Sequence, residues 1–126
     1  MALNKEAILA ASDLKQEIVN VPEWGGEVII RTMTGEERDA FDSEMIRDEK
    51  RSLKNVRARF LSLILCDEKG NRLFDDKDIS ALGKKSAAAL DRLFTAGQKL
   101  NRLSNEDIEE LAGNSAPSPD ASLASG

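Results

Sequence analysis

The chain contains no histidine and no tyrosine. Without histidine, Ser-His-Asp and Cys-His nucleophile systems and most zinc sites are excluded. A single cysteine, Cys66, allows no intramolecular disulfide, so a reducing compartment is the natural one. At the end of an apolar helical stretch it reads as a small buried hydrophobe rather than a reactive thiol. Glycines occur as Gly25-Gly26 and singly, so neither a G-x-G-x-x-G nor a Walker sequence is present. Met1 to Ala11 carries Lys5 and Glu6 across only a brief apolar run, which does not make a signal peptide. No stretch reaches the ~18 apolar residues of a membrane-spanning helix. No Lys/Arg stripe suited to phosphate backbones appears, and the net charge is −5, which argues against nucleic acid as a partner.

The 126 residues are enough for one domain, and 40% hydrophobic residues are enough for a core without metals or disulfides. Acidic and basic residues alternate along the helical stretches. The locally basic run Lys50 to Arg59 follows the acidic run Glu36 to Glu49, which reads as mutual helix pairing.

Asn4 caps a short helix through Ala11. Lys15 to Val21 mixes β-branched and polar residues, with Gln16, Ile18 and Asn20 on one face and Glu17, Val19 and Val21 on the other. Pro22-Glu23-Trp24-Gly25-Gly26 is a reversal, and Glu27 to Met33, with Val28, Ile29, Ile30 and Thr32, is the strongest strand signal. The two strands predict a β-hairpin. Because a lone hairpin is marginal in water, helices or a partner must cover a face.

Thr34-Gly35-Glu36-Glu37 is a capping box, and no Gly or Pro interrupts Glu36 to Lys69. Phe41 and Met45 form one apolar stripe. After the charged stretch Arg47 to Arg51 a second helix opens at Leu53, with Val56, Phe60, Leu63 and Ile64 at the helical period and Leu61 and Leu65 widening it. Asp67 to Asn71 is a turn. Asp75 caps a short helix to Leu82, with Gly83 at its C-terminal boundary. A calcium loop from Asp67 fails, since Lys69 stands at the third position and Arg72 at the sixth, where a ligand and a glycine are required.

Lys84 to Leu103 reads as a long amphipathic helix with Ala87, Leu90, Phe94, Gly97 and Leu100 on one face and Leu93 and Leu103 beside it. Gly97 marks a close helix crossing. Ser104 to Asp107 is a further cap, and Asn114 to Gly126, rich in Ser, Ala and Pro, reads as a disordered tail. The expected fold is α+β, predominantly α-helical, with an N-terminal β-hairpin and four to five helices in one domain over residues 1–113.

Trp24, the single tryptophan, has two readings: it folds back over the hairpin or first helix, or it anchors a partner. The candidate partner-binding residues are Trp24, Val28 and Ile30 on the hairpin, and Phe60, Leu61 and Ile64 on the broad apolar helix. No catalytic, metal-binding or cofactor-binding set stands out from the charged background.

The run Val21 to Arg31, leading into Met33-Thr34-Gly35-Glu36-Glu37-Arg38-Asp39-Ala40-Phe41, resembles the opening of the tail assembly chaperones of long-tailed (siphophage-type) phages and prophages. Val56 to Arg59, Asp67 to Phe74, Ile79 to Leu82, Ala87 to Leu90 and Leu100 to Ser104 are similar to the same family in the same order. The resemblance covers residues 15–112. It implies a non-enzymatic protein of the bacterial host cytoplasm that binds the tape measure protein and keeps it soluble until tail tube subunits polymerise around it. It also implies absence from the finished virion. The hairpin, with apolar residues on both faces, offers an edge or face for self-association, so homo-oligomers along such a client are expected. A longer form made by ribosomal frameshifting would recruit tail tube protein, and the Ser/Ala/Pro tail would then be the end reached without the frameshift. The family supplies no catalytic residues. The competing reading is a connector or adaptor subunit retained in the particle. A small metal-binding regulator and a nucleic-acid binder rank below it.

Overall fold

The structure, a computed structural model, describes residues 2–47, 55–104 and 106–108. Helix α1 (Lys5–Ala10) opens the chain, with Asn4 Oδ1 accepting the Ala7 amide at 2.9 Å. Strands β1 (Gln16–Val21) and β2 (Gly26–Arg31) pair antiparallel from Gln16–Arg31 to Val21–Gly26. A 3₁₀ turn, Pro22–Trp24, joins them, and Gly25 closes it at φ 74°, a left-handed conformation that favours glycine. Gly26 is already in the ladder, so one glycine supplies the reversal rather than two.

Helix α2 (Gly35–Arg47) starts at the expected capping box: Thr34 Oγ1 accepts the Glu37 amide at 3.1 Å, and Glu37 Oε1 accepts the Thr34 amide at 2.9 Å. Helix α3 (Val56–Ile64) starts after Asn55, whose φ of 57° breaks the backbone away from any continuous helix. The expected opening at Leu53 lies outside the described residues.

The helix ends earlier than the unbroken apolar run implies. Leu65 and Cys66 form strand β3, paired antiparallel with Ile30 and Ile29, so the expected hairpin is a three-stranded sheet in the order β1-β2-β3. The cause is the free edge of β2, whose amides and carbonyls need partners once the sheet is buried on one face. The Asp67–Asn71 turn then folds the chain back, with Gly70 at φ 87° and a Cys66–Arg72 bridge. Asp67 Oδ1 accepts the Lys69 and Asn71 amides, which spends the supposed calcium ligand on the turn.

A 3₁₀ turn at Asp76–Asp78, boxed by Asp75 and Asp78, leads into α4 (Ile79–Leu82). Gly83 ends it as expected, capping it at φ −65° in the right-handed region, so the position does not need glycine for its backbone angle. A Cβ there would stand 2.6 Å from Asn55 Oδ1, and this close approach explains the glycine.

Helix α5 (Ala87–Asn101) is capped by Ser86 and ends at Arg102, φ 55°. It is shorter than the expected Lys84 to Leu103, because Lys84 and Lys85 belong to the preceding turn. Its buried face is Ala89, Leu90, Leu93, Phe94 and Gly97, displacing the expected Ala87, which is exposed. Ser104 and Asp107 exchange amide hydrogen bonds as expected. The supposed tail at 114–126 lies outside the described residues.

One cluster of buried side chains runs from Val21 on β1 to Ile108. Ile30 and Leu65 on the inner sheet face, Phe60, Leu61 and Ile64 on α3, and Leu93 on α5 are each at most 1% exposed. The hairpin is thus covered by the chain's own helices.

Candidate binding surfaces

Three surfaces have the apolar character that a protein partner needs. The first is the N-terminal arm. Seven large apolar side chains are exposed among the described residues, and five of them, Leu3, Ile8, Leu9, Leu14 and Ile18, fall before β1 is complete. No residue of α1 is buried, Leu9 is 76% exposed and Ile18 is 63% exposed. Ile18 belongs to the face that the alternation assigns with Gln16 and Asn20, opposite the core-facing Val19 and Val21. Concentration of exposed apolar surface in one segment marks an interaction site more often than scattered leucines do. The arm is held to the sheet by a reciprocal pair, the Thr32 amide to the Lys15 carbonyl at 2.9 Å and the Lys15 amide to Thr32 Oγ1 at 3.0 Å.

The second is a groove of ≈ 300 Å³ lined by Trp24, Phe74, Ala81 and Leu82, with Asp78 and Lys85 at its wall. Trp24 is half-buried against the core, and its Nε1 is buried with no hydrogen-bond partner among the described residues. The tryptophan therefore folds back onto the body of the protein while lining an apolar depression.

The third is a cleft of ≈ 350 Å³ between α2 and α3, lined by Ala40, Phe41, Ser43 and Glu44 on one side and Arg59, Ser62 and Leu63 on the other, with Asp76 and Ile79 at its end. Among the described residues of α2, Phe41 and Met45 are the buried apolar anchors, each 1% exposed, while Ile46 faces outward. Burying two such side chains contributes about 1.5–3 kcal/mol each. The root of α2 is tied down by polar contacts. Arg31, buried at the end of β2, donates through Nη2 to Glu37 and to the Leu63 carbonyl. Burial alone would raise the Glu37 carboxyl, but the Thr34 amide and the Arg31 guanidinium outweigh it and hold it below the usual carboxylate range.

The opposite flank of α3, toward α5, holds a smaller cavity of ≈ 160 Å³ at its N-terminal end, between Val56, Arg57 and Ala58 on α3 and Ala87 and Leu90 on α5. Phe60 and Phe94 meet edge to face with centroids 5.5 Å apart, and Arg57 lies 5.8 Å over the Phe94 ring while pairing with Asp91 at 3.2 Å. That salt bridge ties the basic run to α5, and most of the junction between the basic and acidic runs lies outside the described residues. A Cβ on Gly97 would stand 2.5 Å from Ile64 Cδ1 and 2.9 Å from Phe60 Cε2, so the expected close crossing is real and α3 is the helix it crosses. Asn101 locks the far end of α5, accepting the Met33 amide at 2.7 Å and donating to the Arg31 and Gly97 carbonyls.

The candidate residues divide by burial. Trp24 lines the groove and Val28 is half-buried against the core, whereas Ile30, Phe60, Leu61 and Ile64 are core side chains with no accessible surface in this fold. The fold brings Ile30, Phe60, Leu61 and Ile64 into one core, with Trp24 and Val28 at its edge. Leu3, Ile8, Leu9 and Ile18, the most exposed large apolar residues among those described, are not among the candidates that the sequence suggests. The signal was available: Ile8-Leu9 is an apolar pair in a helix with no covering partner nearby in sequence. Cys66 is buried, which pushes its thiol up and away from reactivity. Among the described residues no group of three or more Cys, Asp or Glu is placed to hold a metal ion, and no helix is long and apolar enough to cross a membrane.

A family model described as phage tail assembly chaperone matches residues 3–114. The chain belongs to the phage tail assembly chaperone family. The solved structure of the tail assembly chaperone of bacteriophage HK97, a siphophage, shares the fold: the TM-score is 0.56 at 19% identity, over 75% of this chain and 94% of that one. Comparison with curated proteins finds no match. Membership places this chaperone in tail assembly and points to tail proteins as its partners.

Proposed function

We propose that this chaperone binds the tape measure protein of its phage, keeps it soluble in the host cytoplasm until tail tube subunits polymerise around it, and leaves before the virion is complete. The observation that carries the reading is the N-terminal arm, a segment of exposed apolar side chains on a chain whose family acts in tail assembly. A long helical client with apolar stripes needs such a surface to cover it during the interval before polymerisation. The net charge of −5 and 33% charged residues keep the loaded complex soluble. Copies associate along the client through the same arm and through β1, the edge strand of the sheet. A frameshifted longer form would add the contact to tail tube protein.

Co-expression tests the reading. The chain is expected to raise the soluble yield of tape measure fragments and to co-purify with them. A Leu9→Glu/Ile18→Glu variant is expected to fold normally and lose both effects. Unchanged fragment solubility and no co-purification with the native chain would overturn the proposal, as would stoichiometric presence of the chain in purified virions by mass spectrometry.

A further inference from the structure

Helix α2 sits on α3 as a helical ligand sits in a groove. Its described anchors are an aromatic and a thioether one turn apart, Phe41 and Met45, both sunk against the core with the polar Asp42, Ser43 and Glu44 between them. The Phe41 ring meets Phe60 at 5.7 Å between centroids, and Arg59 Nη1 lies 3.7 Å from Met45 Sδ. The seam is incompletely filled, since the ≈ 350 Å³ cleft runs along it. Polar contacts converge at the helix root, where Thr34, Glu37 and Arg31 meet. Beneath α2 lies Phe60, which is otherwise packed against α5 through Phe94 and Gly97.

We propose that α2 is a displaceable cover: an amphipathic helix of the client takes its place on α3, with an aromatic or long aliphatic pair at i and i+4 filling the positions of Phe41 and Met45. The inference rests on client binding as proposed above and adds a second contact surface to the arm. The occupant is a helix because the groove already holds one, and two anchors a turn apart with polar residues between them are how an amphipathic helix engages a groove. Displacement stays local because α3 keeps its contacts with α5 and because Arg31 still holds the Leu63 carbonyl. It also gives the buried Phe60 a route to a partner that the closed fold denies it.

A covalent pin tests this. In a Cys66→Ser background, Ser43→Cys and Asp76→Cys, which face the same cleft from α2 and from the 3₁₀ turn, are joined by a short bis-maleimide. The control is the same protein with each thiol capped singly. A purified helical tape measure fragment is the probe, with a peptide of residues 35–47 as competitor. The capped control is expected to capture the fragment as the native chain does, the pinned protein about tenfold less well, a coupling of ordinary size between two sites. The peptide is expected to compete for a Phe41→Ser/Met45→Ser variant and to leave the pinned protein untouched. Undiminished capture by the pinned protein overturns the cover while leaving the chaperone reading intact. No capture by the native chain overturns both.

Discussion

Helix α3 makes two seams, and they are built differently. Toward α5 it meets a glycine, an edge-to-face aromatic pair and a cation over a ring, with the Asn101 clamp beyond. Toward α2 it meets two apolar anchors beside a cleft of ≈ 350 Å³, against ≈ 160 Å³ at the N-terminal end of the α5 seam. A close-packed interface loses many dispersion contacts when it opens, whereas a seam with space along it has fewer to lose. The α3–α5 seam therefore holds the fold, and the α2–α3 seam is where the fold yields.

The largest effect expected comes from truncating one phenylalanine on each seam. Phe94→Ala should cost about 5 kcal/mol and Phe41→Ala about 3, the two ends of the usual range, because the space beside Phe41 lets its surroundings collapse. Urea titration at neutral pH reads both, and a larger loss at Phe41 would reverse the ranking of the seams.

Glu37→Gln should cost about 1–2 kcal/mol by weakening the charge-assisted contact to buried Arg31 at the root of α2. Its pH dependence has a definite sign. The folded Glu37 carboxyl lies below its unfolded value, so its contribution is full at neutral pH and above the usual carboxylate range. It is lost as the pH falls through the lowered folded value. The gap between native protein and Glu37→Gln should close on acidification, and a constant gap would remove Glu37 from the account.

Gly97→Ala should destabilise by about 1 kcal/mol net, since overpacking against Ile64 and Phe60 costs about 1–3 kcal/mol and the gain in helix propensity returns about 1. A thermal melt decides it, and a stabilised variant would mean that the α3–α5 seam is looser than its geometry. The smallest effect belongs to the arm: Leu9→Glu should move stability by less than about 0.5 kcal/mol, because Leu9 touches no core.

Much of this was legible in the residues. Asn4, Thr34–Glu37, Asp75 and Ser104 announce their caps because capping is local chemistry between residues three apart. Gly97 was read as a crossing point because a glycine inside a strong helical pattern needs a tertiary reason. Strand β3 was not legible: Leu65 and Cys66 continue a helical stripe, and the edge of β2 that captures them is 35 residues upstream. The exchange on the α5 face of Ala87 for Ala89, two positions on, has the same origin, since alanines in a run carry no signal until the partner is placed. Apolar periodicity marks Phe60, Leu61 and Ile64 as facing something but not whether that is a core or a client. Burial answers for the closed fold.

Native-state hydrogen exchange tests the two-seam account most directly. Amides in the interior of α5 should exchange only through global unfolding, with the same denaturant dependence as the whole protein, while those in the C-terminal half of α2 should exchange through a local opening of lower free energy. If α2 and α5 amides share one opening free energy and one denaturant slope, the seams are equal and the account fails.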